Sequence, residues 1–448
     1  MRKITFIGAG SIVFAKNLLL DILSVPELRN SRISLMDIDT ERLALIEKLA
    51  KRVIDENGFE TEIEVTTTRR TALKDAKYVI SMIQVGGLDG YQLDIEIPRK
   101  YGVNQAVGDT LGSGGVFRGL RTIPVYLDLA KDMEELCPDA LFINYVNPMA
   151  INCWALNKAT NIKNVGLCHS VQGTAEDMAG YLGLPYEEVN YLSAGINHMA
   201  WFLKYERNGE DLYPRLKEKY NDPDIYKHDI TKFEFLKYFG YFVTESTIHM
   251  SEYVPYFRKS EEWVKKIHKM QREDPENSYG GPFGWTTEDE SGAYLKVCRE
   301  VNKTFFEDMK KLVEEDVEIK RTHEYGSYII EAMETNKAVI IHGNVENKGY
   351  ITNLPQGSVV EVPCVVNKNG IQATYVGKLP SQLAALNRTN INVQELAVEG
   401  SLTGDKEKIY QSIMMDPLTS AVLTLPEIYD MVDEMFEANR KWLPQFNI

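Results

Sequence analysis

The sequence predicts an α/β fold, a Rossmann-like doubly wound sheet followed by an α+β C-terminal domain. Three observations predict it. A short apolar run at the N-terminus enters a glycine turn and then a helical pattern. Apolar strands alternate with helical segments as far as about residue 170. The character of the chain then changes after about residue 195.

Ile4–Ile7 is an apolar strand, Gly8-Ala9-Gly10-Ser11 a turn, and Ile12–Leu23 a helix by its periodicity. Ile33–Met36 is a second strand and ends on Asp37. Strand, helix and strand within about 35 residues make a βαβ unit. Tyr78–Ile83 and Leu141–Val146 read as further buried strands, the second after a Pro138-Asp139 turn. Alternation of this kind argues for a parallel sheet covered on both faces. Residues 207–290 are rich in Tyr, Lys, Asp and Glu, and the turn residues of Asn277–Gly292 predict a loop. Ala338–His342 and Val359–Val366 read as strands, and Asp405–Trp442 as helical. The expected division is residues 1–195 and 196–448.

The 448 residues exceed what one small core needs. Hydrophobic residues make up 44% and charged residues 26%, the balance of a soluble globular protein. A formal charge of −15 with no Lys/Arg run argues against nucleic acid as a partner. No apolar run approaches the roughly 18 residues that span a bilayer, so no membrane partner is expected. The opening MRKITFIGAG has too short an apolar stretch for a signal peptide, which predicts a cytoplasmic chain. Five cysteines, an odd number with no CxxC pair, argue against a disulfide framework.

Several motifs bear chemistry. Gly8 and Gly10 match the first two positions of the dinucleotide fingerprint, where one glycine makes the turn and the other admits a pyrophosphate. Val13 replaces the third glycine, which predicts looser packing of helix on strand. Asp37 suits a ribose 2′-hydroxyl and repels a 2′-phosphate, so the turn favours NAD over NADP, with Ser11 at the helix start. Val107–Arg118 places four glycines in eight residues and brings Asp109 and Arg118 together. It reads as a loop whose backbone approaches a ligand, or as a solvated surface loop. Asn147, in Asn-Tyr-Val-Asn-Pro, follows a buried strand. It is either a ligand for substrate hydroxyls or an ordinary Asn-Pro turn residue. Cys168 and His198 each follow a short apolar strand, Val165–Leu167 and Ala194–Ile196. They either converge on a metal with open positions or are a buried thiol and a hydrogen-bonded imidazole. His249-x-x-Glu252-Tyr253 offers three proton carriers or an aromatic packing segment. Asn353–Gly357 is a turn into the strand at Val359.

In order, KITFIGAGS, LMDID, GDTLGSGGVFRGLRTIP, NYVNPMA, GLCHSVQGTAEDMAG, AGINHMAWF, FGYFVTES, HxxEYxPYF, NLPQGSVVEVP and TNINVQEL resemble glycoside hydrolase family 4, over nearly the whole chain. Cys168-His169-Ser170-Val171 resembles the variant found in its melibiase-type α-galactosidases. The 6-phosphoglycosidase members carry Asn or Asp where His169 stands. The resemblance implies an enzyme that cleaves terminal α-D-galactosides through NAD-dependent oxidation at C3, loss of the C2 proton, elimination, addition of water and return of the hydride. It implies a divalent metal, usually manganese, on Cys168 and His198, and substrate contacts from Asn147 and Arg118. It assigns Asp109 to the sugar and nicotinamide region, Tyr253 to the C2 base with His249 as runner-up, and His169 to the leaving-group acid. It also implies a homodimer or homotetramer. Two alternatives stay open: an α-galacturonidase or α-glucuronidase of the same family, and a plain NAD-dependent hydroxy-acid dehydrogenase. A non-catalytic NAD sensor is a third class, and it would need no metal.

Overall fold

In the computed structural model, which describes residues 1–272 and 291–446, the first strand is β1, Arg2–Ile7. It is followed by β2 (Ser31–Met36), β3 (Glu62–Thr66), β4 (Tyr78–Ser81), β5 (Leu141–Asn144) and β6 (Lys163–Gly166). These six pair in parallel in the order β3-β2-β1-β4-β5-β6. Successive side chains of a strand point to opposite faces. Ile80 and Ile143 accordingly pack on one face with helices Ile12–Ser24 and Met149–Ala159. Val79 and Phe142 pack on the other with Tyr126, Leu129 and Met133 of helix Gly112–Leu136. Both faces are covered, which is why β4 and β5 are buried along their whole length.

The sheet does not stop at β6. β7 (Asn190–Ile196), β8 (Met199–Arg207), β9 (Glu210–Asp211), β10 (Val339–Glu346), β11 (Val359–Asn367) and β12 (Gly370–Ala373) extend it antiparallel to twelve strands. The junctions are narrow: Asn344 of β10 pairs with Gly166 of β6, and Glu361 of β11 pairs with Gly195 of β7. The predicted strands around residues 340 and 360 are therefore present. The Asp405–Trp442 segment forms helices Lys406–Met414, Pro417–Val422 and Leu425–Asn439, the last begun by a Thr424–Glu427 capping box. Residues 277–290 of the expected loop lie outside the described residues.

Two expectations change. Val13 is 52% exposed while Ile12 and Ala15 face the core, so the third fingerprint position points away from the sheet and needs no glycine. The glycine segment is also not wholly a loop, because Gly112 opens the 25-residue helix Gly112–Leu136. A Cβ on Gly115 would stand 2.3 Å from the Thr110 carbonyl carbon, and one on Gly114 2.5 Å from the Asp94 carbonyl oxygen. Those two glycines admit the protein's own backbone, not a ligand. No helix among the described residues is long and apolar enough to cross a membrane.

Candidate active site

The glycine turn is built by its own hydrogen bonds. Gly8 has φ of +93° and donates its N–H to the Met36 carbonyl, 2.9 Å away. The Gly10 N–H donates to the Asp37 carboxylate at 2.6 Å, and the other carboxylate oxygen accepts from the Asp39 N–H at 2.9 Å. The acid at the end of β2 is thus fixed beside the turn. Ser11, just beyond it, lines a cavity of about 410 Å³ at the carboxyl ends of the parallel strands, where open α/β sheets bind ligands.

Asp109, Arg118, Asn147, Cys168, His169 and His198 line the same cavity. Gly8, Gly10 and Asp37 are not among its lining residues. Neither is Tyr253, which is 1% exposed and lies behind His198.

Cys168 follows β6, and His198 occupies the turn between β7 and β8. The His198 Nε2 lies 3.2 Å from the Cys168 Sγ and 3.3 Å from Glu245 Oε2. Thiol, imidazole and carboxylate place one ligand atom each within 4.8 Å of one another. This donor set suits a divalent cation, with the remaining positions open to the cavity. His198 has φ of +62° and Glu245 φ of +82°, both in the left-handed region that non-glycine residues seldom occupy. The sequence reading missed Glu245. Its motif, FGYFVTES, carries no spacing that singles out a ligand.

Charge at the cluster follows from this proximity. Burial raises the Cys168 thiol, but the neighbouring His198 outweighs it and brings it down to about 7. Burial lowers His198, whereas Glu245 and Cys168 lift it to about 10. Glu245 is held below the usual carboxylate range, because His198 and His249 outweigh its burial.

A second chain of contacts runs behind the cluster. His198 Nδ1 is 2.8 Å from the Tyr253 hydroxyl, which lies 3.3 Å from His249 Nε2. His249 Nδ1 reaches Glu252 Oε2 at 3.1 Å. Glu252 accepts the backbone N–H groups of Ala106, Val107 and Gly108 at 2.5, 2.7 and 3.0 Å. It is therefore an anchor for the segment that presents Asp109, not a proton carrier. Burial, with Glu245 and Asp109 adding to it, pushes the Tyr253 phenol well above its ordinary value.

Asp109 pairs with Arg118 at 3.3 Å and lies 3.5 Å from Asn147 Nδ2. Arg118 and His249 outweigh burial and keep Asp109 ionised. Asn144 pins the turn before Asn147: its Oδ1 accepts from the Tyr126 hydroxyl at 2.6 Å and the Val146 N–H at 3.0 Å. His169 is half exposed at the cavity edge, 2.9 Å from Glu324. Burial lowers its pKa, but Glu324 and Cys168 raise it to about 9, so the ring is cationic at neutral pH. Asn387 and Asn390, on helix Ser381–Thr403, bond the carbonyls of Met199 at 2.7 Å and Tyr253 at 3.2 Å. They tie both site segments to the C-terminal helices, and TNINVQEL is the stretch that holds Asn390.

The profile of the family 4 glycosyl hydrolases matches residues 3–184, and that of the family's C-terminal domain matches residues 193–419. The chain is similar to an α-galactosidase of Bacillus subtilis (strain 168), 44% identical over 100% of both chains. It is also similar to an α-galactosidase of Rhizobium meliloti (strain 1021), 40% identical over 99% of this chain and 89% of that one. Among solved structures, a 6-phospho-α-glucosidase from gut microorganisms superposes with a TM-score of 0.80, at 21% identity and full coverage of both chains. The fold, the donor cluster and these matches agree: the chain belongs to family 4 of the glycosyl hydrolases.

Proposed function

We propose that this protein hydrolyses terminal α-D-galactosides with NAD and a divalent metal, manganese in the first instance. One observation carries the reading: a single cavity runs from Ser11 at the dinucleotide turn to the Cys168–His198–Glu245 donor set. Full-length similarity to two α-galactosidases supports the substrate. Residues 1–195 supply the NAD-binding turn, and residues 196–448 supply His198, Glu245 and Tyr253. When bound, NAD would supply a hydride acceptor that returns the hydride, and a metal on Cys168, His198 and Glu245 would supply Lewis acidity toward the sugar hydroxyls.

The chain's own residues do the rest. Gly8 and Gly10 shape the turn that would let a pyrophosphate approach the helix start at Ser11, and Asp37, held by the Gly10 N–H, would accept from the ribose hydroxyls. Cys168, His198 and Glu245 hold the metal. Asn147 and the Asp109–Arg118 pair orient the sugar hydroxyls. Tyr253 is the C2 base of this reading; its phenol lies behind His198 and beside His249, which both line the cavity, and it requires positive charge on the His198 side to ionise. His249 stands next to it, 3.3 Å from the phenol, and its imidazole, raised by the Glu252 contact against burial, adds positive charge beside that oxygen. His169 is protonated at neutral pH and donates to the leaving oxygen.

Both cations facing the sugar already have carboxylate partners, Arg118 in Asp109 and His169 in Glu324. A uronide carboxylate, a sugar phosphate or a hydroxy acid would find no uncommitted guanidinium among the described lining residues, which favours a neutral galactoside. The same reading takes the enzyme as a cytoplasmic homo-oligomer. Aryl α-galactoside and α-galacturonide are the discriminating substrates, assayed with NAD, Mn²⁺ and a thiol reductant. Cleavage of the galactoside alone, lost when NAD or metal is omitted, is the expected result. Preferential cleavage of the galacturonide, or net accumulation of NADH, overturns it.

A further inference from the structure

A second cavity, of about 470 Å³, adjoins the first. Ser170, Glu245 and Ser246 line both, so the two meet at the Glu245 edge of the donor cluster. The Ser170 hydroxyl at this junction is buried and has no hydrogen-bond partner among the described residues. A buried hydroxyl left unpaired between two cavities is a hydrogen-bonding group available to a ligand.

The second cavity has its own chemistry. Asp229 is occupied: Lys232 Nζ lies 2.7 Å away, and the Thr247 hydroxyl donates to it at 3.3 Å. Asp177 stands 3.7 Å from the same ammonium with 55% of its side chain exposed, so its oxygens keep acceptor capacity. The rings of Tyr181 and His228 stack 6.4 Å apart and offer a flat wall. Four carboxylates (Glu176, Asp177, Asp229 and Glu245) and one ammonium, Lys232, are among its described lining residues, which makes the wall acidic.

We infer that this second cavity is the leaving-group subsite and that it selects a neutral sugar. The inference rests on the galactosidase reading above. Hydroxyls of the departing sugar donate to Asp177 and exchange hydrogen bonds with Ser170. Its C–H face lies against the aromatic wall. A phosphate or carboxylate on the leaving group meets like charge and is disfavoured.

Gly180 provides the test. It lines the second cavity from helix Ser170–Tyr181, and a Cβ there meets nothing within 4 Å. Gly180→Phe therefore adds a ring at the cavity wall from a position whose Cβ meets no protein atom. Wild type and variant are compared as holoenzymes, with NAD and Mn²⁺, on 6-O-α-D-galactosyl-D-glucose and on methyl α-D-galactoside, whose leaving group is too small to enter. The variant is expected to lose about tenfold or more in kcat/KM on the disaccharide, mostly through KM, and less than about twofold on the methyl glycoside. Asp177→Asn is expected to shift the same ratio in the same direction by a smaller factor. Equal losses on both substrates, or no loss on either, overturn the subsite while leaving the galactosidase reading in place. Failure of the wild-type holoenzyme to cleave either substrate overturns both.

Discussion

Glu245 illustrates what a single residue contributes beyond its side-chain chemistry. Its φ of +82° aims a carboxylate at His198 in a conformation the surrounding structure must enforce. Glu245→Gln keeps the shape and removes the charge. The variant is expected to bind Mn²⁺ on the order of tenfold or more weakly, read by calorimetric titration with NAD present, and unchanged affinity would remove Glu245 from the donor set. Cys168 and His198 were legible because each follows a short apolar strand, where α/β sheets expose functional side chains. Glu245 comes from an irregular segment, and only the folded chain brings it to the other two. His342 is a residue of a different kind. It is buried on β10, stacked on Tyr191 at 5.6 Å, and burial depresses its pKa to about 4. The folded state therefore binds fewer protons than the unfolded state between about pH 4 and the ordinary histidine value. The corresponding stability is complete above that window and is lost as pH falls through it. The loss at pH 4 amounts to about 3 kcal/mol. His342→Phe retains the stacking and should show a correspondingly flatter fall in urea-unfolding free energy from pH 7 to pH 4. Parallel pH curves for the two proteins would contradict the assignment.

Elements explain the glycines. The first glycine turn was legible because its partners are local: β1, β2 and the helix start lie within forty residues of chain. The second glycine segment was misread because its partners are distant. Glu252, 144 to 146 residues away in sequence, collects two of its backbone N–H groups and that of Ala106 just before it, and helix Gly112–Leu136 starts inside the predicted loop. Helix and preceding segment approach so closely that a methyl on Gly115 would collide with the Thr110 backbone. Backbone cannot yield as a flexible side chain can. Gly115→Ala is expected to cost about 3 kcal/mol or more, seen as a lowered urea midpoint, together with lost activity because Asp109 and Arg118 flank the contact. A variant as stable and active as the wild type would show that the contact is not a constraint.

At the scale of the molecule, one twelve-stranded sheet carries both sides of the site. Its parallel part was legible from apolar runs covered on both faces. Its antiparallel extension was legible only as isolated strands, since the joints are two single bridges, at Gly166 and Gly195, that leave no pattern in sequence. Those joints set β6 and β7 on either side of β10 and β11, with Cys168 following one and His198 the other. Ser11 at the end of the cofactor turn and the donor cluster thus line one small volume, with the buried Tyr253 phenol behind His198. The arrangement suits a reaction in which a hydride and a proton leave neighbouring carbons of the same sugar. The most direct test is hydrolysis of an aryl α-galactoside in heavy water, with NAD and Mn²⁺, followed by NMR of the released galactose. Deuterium at C2 is predicted, with no net NADH. Galactose released with protium at C2, or cleavage that persists without NAD, would contradict the account.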